Sequence, residues 1–599
     1  MLLTSERFYD TLVIGTGCSG YNAADWLYDL GRDVAILTEG VQMGTSRNTG
    51  SDKQTYYKLS LASGEGDSVR EMAETLFSGG GVHGDTALIE AACSVKAFMK
   101  LVLLGVPFPT NAYGEYVGYK TDHDPRQRAT SCGPLTSKLM TEALERSVRA
   151  KGVPVFENTQ AVRLLTENHA ITGVLALDTI TGEHRVFACN HVVLATGGPA
   201  GIYRDSVYPE SQTGALGLAV NAGAATANLC EWQYGLASTK FRWNVSGTYQ
   251  QVLPKYMSAA PDGTEREFLP ERFSSPAEAL NMGFLKGYQW PFDVRKAKGS
   301  SRVDLFVHEE TLRGHRVYMD FRFNPTDYRL DTLSNEARDY LTNSDAAFGT
   351  PIERLEKMNS QAVKLYRDNG INLYGEPLEI AVCAQHCNGG VAVDVNWESS
   401  VKGLYAVGEA AGTFGVYRPG GSALNSTQVG SMRAAEHIAR KKNAPAKQVS
   451  AEITAVLQGG AFDADGILDR TRRLMSQYAA FRREPAQMKA LYEDVSAVRD
   501  TFWQKAAVRS QSELPQIYKC FDTLTAQAAV LSAMLFAAEE YGSRGSCLVE
   551  GSPKTSESAA DTVVITQNLV SRAEQIRPLP EGGGWFETVW NEYNRRNAW

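Results

Sequence analysis

Three glycines and one acid offer the first recognisable chemistry in this chain. Gly15, Gly17 and Gly20 stand in G-x-G-x-x-G spacing within TLVIGTGCSG, residues 11–20. Thr11 to Ile14 are β-branched or apolar and read as a buried strand, and YNAADWLYDLG, which follows, reads as a helix. In such a turn the first glycine makes the bend, the second admits a pyrophosphate, and the third lets helix pack on strand. The anion then lies at a helix N-terminus, where N–H groups and the helix dipole favour negative charge. Cys18 and Ser19 sit inside this turn. A second strand, Asp33–Leu37, runs into Thr38 and Glu39, and Glu39 lies 19 residues beyond Gly20, where an acid can take a ribose hydroxyl. These residues predict a dinucleotide site, with Ser46, Asn48 and Thr49 as donors on the loop over it.

Two other groupings could do chemistry. Cys383, His386 and Cys387 lie close together, but two thiols and one imidazole lack a fourth ligand, so no metal is expected. RPGGSAL, from Arg418, is a second glycine loop opening a long helix, preceded by the strand and turn GLYAVGEAAG that carries Glu409. The nine cysteines form no C-x-x-C pair and are expected to be reduced thiols. A net charge of −8 gives no reason to expect nucleic acid or an anionic membrane as partner. The N-terminus reaches its first core strand within about ten residues, too few for a leader. The apolar stretch Ala528–Ala538 is too short to span a bilayer. A cytoplasmic protein with no membrane segment is the expectation.

The elements that must position these residues follow from periodicity. Helical patterns cover 66–106 and 134–151, and VPVFEN, AVRLLT, ITGVLALDT and HRVFA alternate in period two as a β-meander. A separate apolar strand, HVVLATGG, closes on glycines. Residues 237–374 carry no nucleotide signal and many aromatics, among them Trp243, Tyr249 and Trp290, and are expected to form an inserted cap. Cofactor-type sequence returns at 378–440, and 448–545 reads as helical. The order of these blocks resembles glutathione-reductase-like flavoproteins, which implies that the dinucleotide is FAD. The expected fold is therefore α/β: a glutathione-reductase-like FAD-binding Rossmann domain (1–236 and 375–441), an α+β cap (237–374) and a helical C-terminal region (442–599).

VIGTGCSG, the NTG loop at 48–50, VVLATGG, TGALG at 213–217, HCNGGVAVD, GLYAVGEAAG and RPGGSAL together resemble the fumarate reductase/succinate dehydrogenase/L-aspartate oxidase flavoprotein superfamily. The resemblance places Gly15, Gly17, Gly20 and Glu39 on the ADP half of FAD, Asn48 and Thr49 beside the flavin, and Glu409 on the ribityl chain. Ser422, Ala423 and Leu424 fall along the pyrimidine edge, where the helix N-terminus favours the negative charge of reduced flavin. Cys18, Ser19, Thr38, Ser46, Ala161, Val162, Ala195, Thr196 and Gly197 complete the expected cofactor contacts. Asn48 stands where membrane-bound relatives carry the histidine that bonds FAD covalently, so non-covalent FAD is expected, and Ala215 replaces a family aspartate.

The implied chemistry is hydride transfer between flavin N5 and a substrate carbon, most readily reduction of a C=C bond in an unsaturated carboxylate or carbonyl compound. The alternatives are a CH–OH or CH–NH dehydrogenase or oxidase and a flavoprotein member of an electron-transfer complex. Arg418 matches the carboxylate-binding arginine. Arg302, 16 residues before Tyr318, matches the proton donor, and His386 lies near a substrate histidine with Gln385 beside it. The family's Q-F-H-P-T reads Gln233-Tyr234-Gly235-Leu236-Ala237, so one end of a dicarboxylate clamp is missing. Fumarate becomes an unfavoured substrate, and a larger molecule with a ring portion is expected in an opened site. No iron–sulfur cluster motif occurs here, so electrons are expected from an external donor or an iron–sulfur partner.

Overall fold

The glycine turn forms where strand β1 (Arg7–Ile14) meets helix α1 (Cys18–Asp29). The computed structural model describes residues 2–596 apart from 6, 63, 65, 443–446, 454–461, 553, 555–561, 567–568, 574–575 and 583. The chain continues through β2 (Val34–Leu37), α2 (Gly84–Leu103), α3 (Thr136–Ala150), β3 (Val155–Phe156), β4 (Thr159–Glu167), β5 (Ala170–Asp178) and β6 (His184–Leu194). The sheet order is β3-β2-β1-β6-β5-β4, parallel from β3 to β6 and antiparallel through β5 and β4. Its central strands are covered on both faces, which is why they read as unbroken apolar runs rather than alternating ones.

The predicted meander is corrected in two places. Val155–Phe156 is a parallel edge strand beside β2, and HRVFA and HVVL are one continuous strand, the 11-residue β6. No turn-forming pair separates them: Cys189 is buried, and Asn190 donates to Asp10 Oδ1 (3.1 Å) and so ties β6 to β1.

The second sheet uses β7 (Trp232–Ser238), β8 (Lys255–Ala259), β9 (Glu265–Glu267), β10 (Arg316–Asp320) and β11 (Leu378–Cys387), with α4 (Arg302–Leu312) lying between β9 and β10 along the chain. All of its pairings are antiparallel, in the order β7-β11-β10-β8-β9, with a two-residue strand, Trp243–Asn244, on the outer edge of β7. Leu236, Val303, Val307, Met319, Phe321 and Ile380 share its core. Strand β7 thus crosses the boundary expected at 236, while β11 begins just past the one expected at 375, and the two run from the cap's core, at Leu236 and Ile380, into the core of the first sheet, at Trp232, Tyr234, Ala384 and Cys387.

A short strand, β12 (Leu404–Ala406), pairs in parallel with Val192–Leu194. Helix α5 (Ser422–Arg440) follows and packs on α1 and α2. The C-terminal region contributes α6 (Ala464–Tyr478), α7 (Pro485–Asp500) and α8 (Leu514–Glu540). The region is not helical throughout: Ser450–Glu452 pairs with Leu2–Thr4, and residues 454–461 lie outside the described set. The apolar stretch around 528–538 belongs to a longer element than expected. Gln511–Glu540 is long and apolar enough to cross a membrane by length and composition, and 67% of its apolar 18-residue stretch is buried inside the protein.

Glu90 of α2 is buried and accepts a hydrogen bond from Ser426 Oγ of α5 (2.7 Å). Burial pushes its carboxyl from an ordinary 4.5 up to about 7. The folded chain therefore holds a proton that the unfolded chain releases, so this contribution is present below pH 4.5 and lost as pH rises through 7. The loss amounts to about 3 kcal/mol. Denaturant unfolding across that window should fall more gently in Glu90→Gln; an unchanged slope would show Glu90 to be ionised in the fold.

Candidate active site and cofactor cleft

The turn after β1 is closed by backbone contacts that admit no side chain. Gly15 has φ +109°, and a Cβ there would lie 2.5 Å from Ala195 O; one on Gly20 would lie 2.0 Å from Gly15 O. Gly20 therefore does its work by seating α1 on β1, while Gly15, Gly17 and Ser19 face a cavity of about 410 Å³. Neither Gly17 nor Gly421 brings a capping side chain of its own, and both helix N-termini open on this cavity, α1 with its Cys18 N–H taken by Ser46 Oγ (3.2 Å). Thr38, Glu39, Ser46, Thr49, Ala161, Ala195, Thr196, Gly197, Glu409, Ala423 and Leu424 line it. Glu39 also pairs with Lys519 of α8 (2.6 Å). Two helix N-termini, a cradle that a Cβ would fill and an acid at the end of β2 fit the phosphates, pyrimidine edge and ribose of FAD.

Four expected cofactor contacts lie elsewhere. Cys18 turns its Sγ inward to Thr141 of α3 (2.8 Å) and reaches the loop only through its N–H, which donates to Ser46 Oγ (3.2 Å). Asn48 donates to Gln42 O and Gly44 O, each at 2.9 Å, and so closes its own loop. Val162 packs against Leu165, Leu175 and Val186. Ser422 is buried beneath the first turn of α5. Gln54 and Gln212, which no motif marked, and Gly214 of the TGALG segment also line the cavity. An amide at position 48 cannot form the covalent bond of a histidine, so acid precipitation should leave yellow FAD in the supernatant. Colour retained in the pellet would show a covalent link.

Opposite the glycine turn the cavity wall comes from β7 and β11. Gln233 pairs with His386 and Tyr234 with Ala384, leaving Gln385 as the extra residue of a bulge. A regular strand would send Gln385 and His386 to opposite faces; the bulge lets both line the cavity. Gln385 is 7% exposed, and neither atom of its amide has a partner among the described residues. Arg418 donates from Nη2 to Gln233 Oε1 (2.6 Å) and from Nε to Asn388 Oδ1 (3.4 Å). Burial lowers its pKa to about 10, against the pull of Glu409, and it stays cationic at neutral pH. His386 Nδ1 bonds Asn388 Oδ1 (2.9 Å); burial and then Arg418 hold the imidazole well below its ordinary pKa, hence neutral. Glu409 receives bonds from Tyr208 OH and from Cys387 N–H (2.8 Å), and lies 3.9 Å from His386 Nε2. Burial pushes its carboxyl up to about 7.

Arg302 is not at this wall. It opens α4, where Nη1 pairs with Glu278 (2.9 Å), Nη2 donates to Arg272 O (3.2 Å), and the guanidinium lies over the rings of Phe273 and Phe306. In its place the cap sends Trp290 and Pro291 to the cavity.

Comparison with known proteins agrees with this cleft. The family described as FAD binding domain matches residues 10–254 and 324–424. L-aspartate oxidase of Agrobacterium fabrum is 26% identical over 81% of this chain and 83% of that protein. The fumarate reductase (CoM/CoB) flavoprotein of Methanothermobacter marburgensis is 22% identical over 96% of this chain and 94% of its own. Among solved structures, E. coli quinol fumarate reductase FrdA superposes with a TM-score of 0.72 at 17% identity, covering 96% of this chain and 97% of that one. With the nucleotide cradle, both helix N-termini and more than half the chain inside the matched segments, this protein belongs to the FAD-binding-domain family and is an FAD-dependent oxidoreductase of the fumarate reductase/aspartate oxidase group.

Proposed function

We propose that the chain reduces the C=C bond of an unsaturated carboxylate or carbonyl compound other than fumarate. The observation that carries this reading is Arg418, a guanidinium braced by Gln233 and Asn388 in a cavity it shares with Gln385, neutral His386 and Glu409. Its planar fork suits one carboxylate, which it holds bidentately without losing charge. Gly235 and Ala237 stand where the superfamily resemblance puts a histidine and a threonine, so this part of the wall offers no second clamp. Bound, reduced FAD supplies a hydride. The protein's own residues orient the acceptor and hold the proton: Arg418 fixes the carboxylate, and Glu409, which itself lines the cavity, stores a proton near neutral pH. Reducing equivalents would come from an external donor or an iron–sulfur partner.

The test is reoxidation of dithionite-reduced viologen by a panel of enoates with the anaerobic holoprotein. Turnover with an enoate and slow turnover with fumarate are expected. The relatives named L-aspartate oxidase favour a second reading, dehydrogenation of a CH–NH bond. Oxygen uptake with a saturated amino acid, and no enoate turnover, would replace the first reading with the second.

A further inference from the structure

We propose that Trp290 determines specificity in this cavity, its indole forming a flat, uncharged wall for an aromatic or extended planar group on a substrate with a single carboxylate. This rests on the reading of Arg418 as a carboxylate clamp. The site is not opened at Gly235, as the missing histidine suggests, because the indole lies there: a Cβ on Gly235 would meet Trp290 Cε2 and Nε1 at 2.9 Å and Cζ2 at 3.1 Å. Any side chain at 235 would therefore displace the ring.

The ring is held from both sides in sequence. Phe292 N–H donates to Tyr234 O (2.7 Å), which straps the turn across β7 next to Gly235. Before the ring, Gln289 O accepts from Lys286 Nζ (3.1 Å), and Gln289 Oε1 accepts from Ser300 Oγ (2.7 Å). Lys286 is itself fixed by a fully buried ion pair with Asp304 (2.7 Å). A wall anchored in this way is preorganised, so a ligand need not spend binding energy ordering it.

The chemistry of the wall selects what fits. Trp290 shares the cavity with Arg418 and with Gln385, whose buried amide has no partner among the described residues and is available to a ligand. A second carboxylate directed at the ring would find its one donor, Nε1, buried against Gly235 rather than presented to the cavity, and would lose its hydration without replacement. A planar conjugated group would gain apolar contact and ring stacking instead.

The test titrates oxidised holoprotein with cinnamate, crotonate and cinnamamide, reading the ligand-induced change in the spectrum of bound FAD. Cinnamate should bind about tenfold more tightly than crotonate. Trp290→Ala should erase that ratio and Trp290→Phe should keep most of it, both variants being first checked for an unchanged FAD content. Equal affinities in the unmodified protein, or a ratio that survives in Trp290→Ala, would overturn the proposal, as would failure of both aromatic probes to bind. Trp290-dependent binding of cinnamamide without binding of either carboxylate would sustain the aromatic wall while overturning the carboxylate reading of Arg418.

Discussion

Arg418→Ala is expected to keep its FAD and to lose roughly 30- to 4,000-fold in kcat/KM for the substrate identified. The range corresponds to about 2–5 kcal/mol for removing one member of a desolvated, hydrogen-bonded charge pair. The loss has two parts. The substrate carboxylate forfeits its bidentate partner, and Gln233 Oε1 loses its short bond to Nη2 (2.6 Å). Arg418 also opposes the upward shift of Glu409, so its removal leaves that carboxyl protonated to higher pH. A pH–rate profile of residual activity should therefore move its upper limb upward. Arg418→Lys keeps the charge but not the fork and should recover only part of the rate. Full turnover in Arg418→Ala, with FAD content unchanged, would make the residue a structural ion and remove the clamp from the proposal.

Gly20→Ala should yield protein without flavin. The added carbon would lie 2.0 Å from Gly15 O and 2.9 Å from Gly15 C. Neither backbone can retreat easily, because the Gly15 N–H is bonded to Leu37 O and the neighbouring Ile14 O accepts from the Ala195 N–H, each at 2.9 Å. Helix α1 must then lift from β1, and the N-terminus that faces the phosphates moves with it. A cost of about 3 kcal/mol is expected, at the upper end for overpacking a close backbone contact. Gly66→Ala supplies the control, since nothing lies within 4 Å of its added carbon, and it should shift stability by less than about 0.5 kcal/mol. The flavin-to-protein ratio and a urea unfolding curve read both variants. A yellow Gly20→Ala protein of normal stability would show that the close helix–strand contact is not required.

The cofactor cleft was legible because its devices are local. A glycine turn, an acid at the end of the next strand and a glycine loop opening a helix are each written within a few consecutive residues. Side-chain direction was not written so plainly. Cys18 lies inside the nucleotide turn by sequence, yet points into α3, and Asn48 spends its amide on its own loop. Arg302 was placed by counting to a strand, a measure that cannot say which face of α4 it occupies or that Glu278 waits there. Gln385 reaches the cavity through a bulge, and a bulge is a mismatch between two strands distant in sequence. Trp290 falls in the same class, because its place depends on an absent side chain on β7. The join inside β6 was missed for a simpler reason: period-two patterning marks faces but cannot mark where a strand continues past its first sheet.

The paired passage of β7 and β11 between the two sheets has a mechanical consequence. Residues 232–238 and 380–387 are laddered to each other across the whole crossing. A domain hung on two single threads can swivel about them, whereas one joined by a two-stranded ribbon resists torsion and yields mainly by bending normal to the ribbon's plane. Arg418's brace Gln233, the bulge at Gln385 and the floor under Trp290 all lie on that ribbon. Movement of the cap would therefore carry Gln233, Gln385 and the floor under Trp290 as one piece, preserving their mutual spacing while changing their distance from the nucleotide turn and from the loop that bears Arg418.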